Sequence, residues 1–203
     1  MEVIMNKKNK YATWRVALST FGTSIVAIVF SSLLTLSLGG VWDHPFWTVL
    51  MQLLSLLIYI PMIYSPSWYC GDHDSNSVHF GHMEEDAYKG LKIGFLAMIP
   101  YALTPIILVL SKLRVFGELD LGFVYRILNV HMLYAINWLV APEKLVADVS
   151  WPAIIGVWLY HLIIPLTCAA AYRLGFMHIS ISERLIFKNL PKNPKGKKTG
   201  NKK

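Results

Sequence analysis

Apolar residues gather along this chain in five long runs joined by short polar links. The first, Val16 to Leu38, has 23 residues and no charged side chain. A helix of about 20 residues crosses a hydrocarbon core about 30 Å thick, so this run predicts a spanning helix. The second, Phe46 to Ile63, is bracketed by Trp42, Trp47, Tyr64, Trp68 and Tyr69, aromatics of the kind that settle at both membrane interfaces. The third, Leu91 to Leu110, contains Pro100 and Pro105. Proline removes a backbone donor and crowds the preceding turn, so this helix should kink. The fifth, Trp151 to Leu174, has Pro152 in its first turn, where proline is tolerated, and His161 and Pro165 in its interior.

The fourth run, Leu121 to Val140, is the poorest spanning candidate. It carries Arg126, Asn129, His131 and Asn137. An arginine at the centre of a membrane helix costs on the order of 2.5–3.5 kcal/mol. The predicted architecture is therefore an all-α, polytopic membrane helical bundle with five apolar segments. Four or five of them span, and segment 121–140 is re-entrant in the four-span version. The layout reads as a basic cytoplasmic arm over 1–15 and a membrane domain over 16–174 with a polar loop at 64–90. An amphipathic surface segment over 175–190 and a disordered polybasic tail over 191–203 follow.

Within the first run, Ala17, Thr20, Ser24, Ala27, Ser31 and Thr35 recur at spacings of three and four. A helix places them on one face. Lipid gives no apolar drive between helices, so a small-residue face marks close backbone packing. That packing serves the chain's own bundle or another membrane protein docked on the first helix.

Composition agrees with the pattern. Apolar residues make up 55% and charged residues 15%, against about 45–50% and 25% in a soluble domain. The net charge of +7 is a tail property, because seven lysines and no acid lie between Lys188 and Lys203. It predicts no nucleic-acid surface. It does predict attraction to anionic lipid head groups, at about 1 kcal/mol per lysine near the surface. The two cysteines, Cys70 and Cys168, form no C-x-x-C motif and no disulfide framework.

Sidedness follows from lysine and arginine in short loops. Lys7, Lys8, Lys10 and Arg15 place the N-terminal arm inside, and the uncharged-basic link 39–45 falls outside. Five crossings would put the lysine tail outside, against the rule. Four crossings put both basic ends in the cytoplasm, and that version is preferred. Small size, a basic tail and a first run unlike a cleaved signal suggest a cell membrane, bacterial in type.

Two sets of residues carry candidate chemistry. The stretch WYCGDHDSNSVHFGHMEEDAYKG, Trp68 to Gly90, holds Asp72, Asp74, His73, His79 and His82. Alternate oxygens and nearby imidazoles are the ligands of a divalent metal site. The EF-hand spacing fails, since Ser77 and Met83 stand where glycine and glutamate belong. The competing expectation is a run of turns built by Gly, Asp, Ser and Asn. Glu84, Glu85 and Asp86 are expected in the first turn of the third helix, where they complement its dipole, with Glu85 four residues ahead of Lys89 as an ion pair.

The second set is Arg126, Asn129, His131, Asn137 and His161, with Gln52 and Tyr59 from the second run. Ionisable groups at membrane depth face a bundle interior, a wet cavity or a partner, and broken helices line midplane sites in transporters. The leading functional expectation is a transport-type or accessory membrane subunit with this polar intramembrane site, binding an anion or a proton. The alternatives are a metal-dependent membrane enzyme using the 70–86 stretch, and a structural scaffold binding a membrane partner. No Walker loop, G-x-G-x-x-G, G-x-S-x-G or S-x-x-K occurs.

Overall fold

The computed structural model describes residues 11–37, 45–117, 119–140 and 145–180. The arm before Tyr11, the link 38–44 and the chain beyond Ser180 lie outside the described residues, and with them most of the amphipathic segment and the lysine tail. Within the described residues every element is helical. Helix α1 is Thr13–Ser37, α2 is Pro45–His79, α3 is Lys89–Ala102 and α4 is Pro105–Lys112. Helix α5 is Gly122–Leu128, α6 is Leu133–Leu139, α7 is Trp151–Tyr160 and α8 is Ile163–Phe176.

Four helical stretches are long and apolar enough to cross a bilayer: α1, α2, α3 with α4, and α7 with α8. The chain is in that respect an all-α bundle compatible with a membrane protein. An even number of crossings leaves Tyr11 and Ser180 on one side, as the charge pattern prefers.

The face of α1 that is buried consists of Val16, Ala17, Thr20, Ser24, Ala27, Ser31 and Thr35, which contains the whole predicted small-residue stripe. It packs against the chain's own α2 and α3, and Ser24 Oγ lies 2.6 Å from the Tyr101 hydroxyl. The opposite face, with Leu18, Ile25, Val29, Leu33 and Leu36, is exposed to the surroundings, as a lipid-facing surface would be.

Helix α8 is the axle of the bundle and packs on α2 and α3. Glycines set the separation. A Cβ on Gly175 would sit 2.1 Å from the Trp68 carbonyl oxygen, and one on Gly71 2.1 Å from that of Tyr172. On the other flank, Gly90 and Gly94 face Ala169 and Pro165 at 2.9 and 2.3 Å. Their spacing is the G-x-x-x-G of close-packed membrane helices. The helix ends on His178 at φ 54°, with the Ile179 amide returning to Leu174, and Trp68 Nε1 donates to the Ile179 carbonyl at 2.8 Å.

One expectation is corrected here. The polar loop predicted at 64–90 is helical through His79, so the connector shrinks to residues 80–88. At 1.5 Å per residue, α2 is roughly 52 Å long, well beyond a hydrocarbon core of about 30 Å. Its last turns stay helical because Ser67, Cys70, Gly71 and Asp74 form a buried stripe that packs against α8. The turn-forming tendency of Asp, Ser and Asn yields to that packing.

Segment 121–140 is not a single helix. It is α5, a 3₁₀ turn over Val130–Met132, and α6. Both of its ends are tied to the end of α4. Asp120 accepts from the Gly122 amide at 2.8 Å and the Val146 amide at 3.2 Å, and Lys112 donates to the carbonyls of Ala147 and Val149. Its apex packs against α1 and α2. The segment enters the bundle and returns, as the four-span version requires.

Candidate functional site

Three helix interruptions meet in the middle of the bundle, and each has a local cause. Pro105 has no N–H to give the Tyr101 carbonyl. That oxygen instead accepts from the Thr104 amide at 3.0 Å and the Thr104 hydroxyl at 2.8 Å, and α3 ends. Pro165 likewise cannot reach the His161 carbonyl, which accepts from Ile164 at 3.1 Å, so α7 ends at Tyr160. The third interruption is the 3₁₀ turn between α5 and α6. His161 is ten residues beyond Trp151, or roughly 15 Å at 1.5 Å per residue, half of a bilayer core.

Asn129 ties the interruptions together. Its Nδ2 donates to Thr104 Oγ1 and to the Tyr125 carbonyl, each at 3.1 Å. Its Oδ1 lies 3.2 Å from His161 Nε2. Gln52 repairs the third break from α2. Its Nε2 donates to the His131 carbonyl at 3.0 Å, and its Oε1 accepts from the Ala135 amide at 3.0 Å. Those are the two groups that would bond each other in an unbroken helix. One side-chain amide therefore spans the gap.

The His131 ring is buried and stacks on Tyr59 with centroids 4.2 Å apart. Tyr59, Tyr125, Asn129, His131, Tyr160 and His161 line a cavity of about 10 Å³, measured at the centre of a water-sized sphere. Among the described residues lining it, the Tyr59 and Tyr125 hydroxyls, His131 Nδ1 and His161 Nδ1 are buried with no hydrogen-bond partner. Buried polar atoms are partnered in the great majority of cases, and the gathering of four such atoms around one cavity singles this place out as a candidate site.

The sequence-predicted polar set divides in two. Asn129, His131 and His161 converge on this cavity with Tyr59. Arg126 and Asn137 pair with each other instead, Nε to Oδ1 at 3.1 Å, and Arg126 also caps the Val140 carbonyl at 3.1 Å. They clamp α5 to α6 nearer the mouth of the hairpin. Thr104 and Tyr125 belong to the site and were not anticipated. Pro105 marks the turn that presents Thr104, and it is the signal that could have found it.

The stretch around α2's end is arranged differently from a metal centre. Asp74 is buried, and its Oδ2 accepts from Lys89 Nζ at 2.6 Å and the Tyr172 hydroxyl at 3.0 Å. Asp72 pairs with His178 at 2.7 Å. His73 stacks on Tyr11, while His79 and His82 flank the exposed Phe80. Among the described residues no group of three His, Cys, Asp or Glu is placed to hold a metal ion. The acids ahead of the third helix are also corrected. The helix starts at Lys89 rather than near Met83. Glu85 pairs with Arg173 at 2.7 Å instead of with Lys89. Asp86 pairs with Lys92 at 2.7 Å, and that hydrogen bond holds its carboxyl below the ordinary carboxylate range, with the Tyr88 amide assisting.

Two wider hollows lie elsewhere. One of about 220 Å³ at the end of α4 is lined by Arg114, Asp120 and Val146. Another of about 610 Å³ runs between α2 and α6 along Val49, Leu53, Tyr134 and Trp138. The latter is an apolar groove on the outside of the bundle, of the kind lipid tails fill. No family model, curated protein or solved structure matches the chain.

Proposed function

We propose that this chain is a transport-type membrane subunit of a cell membrane, with the cavity between the broken helices as its polar intramembrane site. The observation that carries the reading is the meeting of three helix interruptions around buried polar atoms that the fold itself leaves without partners. Discontinuous helices at mid-membrane are how transporters present polar groups to a permeant species.

The roles divide accordingly. His131, His161 and Tyr59 face the permeant species. Asn129 and Gln52 hold the broken backbone, and Arg126 with Asn137 closes the hairpin behind them. The lysines beyond the described residues hold the cytoplasmic ends against anionic lipid.

The test is flux in proteoliposomes containing the purified chain, with dyes reporting protons and chloride. Expected is a flux above that of empty vesicles, lost in His131→Ala and reduced in Arg126→Ala. Vesicles that conduct neither ion beyond the empty control overturn the reading.

A further inference from the structure

The hydrogen-bond pattern around Asn129 fixes more than position. Thr104 Oγ1 gives its proton to the Tyr101 carbonyl, so it can only accept from Asn129. The Tyr125 carbonyl can likewise only accept. Both contacts therefore require the amide nitrogen of Asn129 on that side, which leaves Oδ1 facing His161. An amide oxygen has no proton to give, so His161 Nε2 is the donor in the 3.2 Å contact. A neutral imidazole carries one N–H, and its other nitrogen is a lone pair. In neutral His161 that lone pair is Nδ1, which is buried without a hydrogen-bond partner in a ring that also faces the Trp158 and Val157 carbonyls, acceptors for a proton placed there.

Two consequences follow for what occupies the cavity. The first is chemical: whatever meets neutral His161 must donate a hydrogen to Nδ1. A halide or carboxylate has none to give and is repelled by the lone pair. The second is size. A water molecule needs about 10–15 Å³ on the measure used above, and the cavity offers about 10 Å³. That is the lower limit for a single water-sized guest and leaves no room for an organic solute. A buried water uses two to four polar partners, and the Tyr59 and Tyr125 hydroxyls, His131 Nδ1 and His161 Nδ1 supply up to four.

We propose that His161 Nδ1 is a proton-accepting atom in a one-water site shared with His131 and Tyr59, so that the species handled is the proton rather than an anion or a solute. This rests on the transport reading above and narrows it. A hydronium entering the cavity breaks one O–H bond and leaves water, while Nδ1–H forms and His161 becomes an imidazolium. Nε2–H stays on Asn129 Oδ1 throughout. The reverse step returns the proton to water.

The titratable groups facing the site are Tyr59 from α2, Tyr125 from α5, His131 from the 3₁₀ turn and Tyr160 from α7. None of the cavity-lining residues is an acid, lysine or arginine, so no fixed charge opposes or traps the proton. The two imidazoles repel each other when both are charged, which limits the site to one proton at a time.

The experiment uses the full chain, labelled with [15N]histidine and reconstituted in lipid, with the same preparation assayed for flux. The His161 signals are identified by their loss in His161→Gln. Expected is the Nε2–H form at neutral pH, with Nδ1 gaining a proton on acidification. In Asn129→Ala the two tautomers should mix while the protein remains folded. Potassium-driven proton flux should fall by about 100-fold in His161→Gln, the order lost with a positioned proton-transfer group. Chloride flux should stay at the empty-vesicle level. An Nδ1–H tautomer in the unmodified chain overturns the inference. So does chloride flux without proton flux, although that result leaves the transport reading standing. Absence of both fluxes fails the transport reading, and the narrower inference falls with it.

Discussion

Replace Asp74 by asparagine and Lys89 keeps its charge in a place built to neutralise it. The two side chains are 2% and 9% exposed, with Nζ and Oδ2 2.6 Å apart. At an effective dielectric near 20 their attraction is about 6 kcal/mol. Removing both from water costs several kcal/mol per ion, so the pair contributes little net. Breaking it is another matter, since one charge is then buried alone. Asp74→Asn and Lys89→Met should each lower stability by about 3–5 kcal/mol, a factor of roughly 10² to 10³·⁵ in the folding equilibrium. The double replacement Asp74→Leu with Lys89→Met should recover most of that loss. It still leaves the Tyr172 hydroxyl without its acceptor, worth about 1–3 kcal/mol, so adding Tyr172→Phe should bring stability to wild type or above. The assay is equilibrium unfolding in mixed micelles, followed by tryptophan fluorescence, for all variants of the cycle. Single variants within about 1 kcal/mol of wild type, with an additive double, would be surface-pair behaviour. That would refute the claim that this pair is sealed from water.

Other outcomes follow from the same packing. Gly175→Ala forces a methyl to 2.1 Å from the Trp68 carbonyl oxygen and should cost about 1–3 kcal/mol or more. Gly22→Ala, with open space around it, should be neutral or add up to about 1 kcal/mol, and the same unfolding assay separates them. Gln52→Leu orphans the His131 carbonyl and the Ala135 amide, about 1–3 kcal/mol each, and should raise amide exchange locally at residues 130–136. Reporters fused after Lys203 and within 39–45 should read cytoplasmic and extracytoplasmic respectively, and an extracytoplasmic Lys203 would mean a fifth crossing. The Asp86 carboxyl has its folded pKa lowered by Lys92, so its stabilisation is present above the ordinary carboxylate pKa near 4. It is lost as pH falls through the lower folded value. Lys92 is exposed and Asp86 partly so, so Asp86→Asn should change stability above pH 5 by less than about 1 kcal/mol.

What could be read from the chain alone depended on how local the cause was. The α1 stripe needs only a 3.6-residue period, and all six predicted positions are buried. The helix breaks announce themselves through Pro105 and Pro165, because a missing N–H is a property of one residue. Asn129, His131 and His161 stand out as polar groups inside apolar runs. The end of α2 was misread because its residue types favour turns. Yet Ser67, Cys70, Gly71 and Asp74 have helical spacing, and their burial against α8 decides the conformation. Lys89 could not be assigned to Asp74 from sequence. Their contact spans a connector and requires α2 and α3 to pack side by side on α8. Thr104, Tyr125 and the Gln52 bridge were hidden for a similar reason, since each role exists only once three separated segments meet.

That meeting also separates architecture from function. A bundle that breaks helices at membrane depth must satisfy the freed backbone groups from within. Gln52, Asn129 and Thr104 do this, and their presence is explained by the fold. Arg126 and Asn137 are explained in the same way, as the clamp of the hairpin. Subtract all of these and four unpartnered polar atoms remain around the cavity, among the described residues: the Tyr59 and Tyr125 hydroxyls, His131 Nδ1 and His161 Nδ1. Phenylalanine at position 59 would stack on His131 as tyrosine does. Each desolvated atom opposes folding by about 1–3 kcal/mol unless something fills the cavity. An occupant that bonds these four atoms removes that burden.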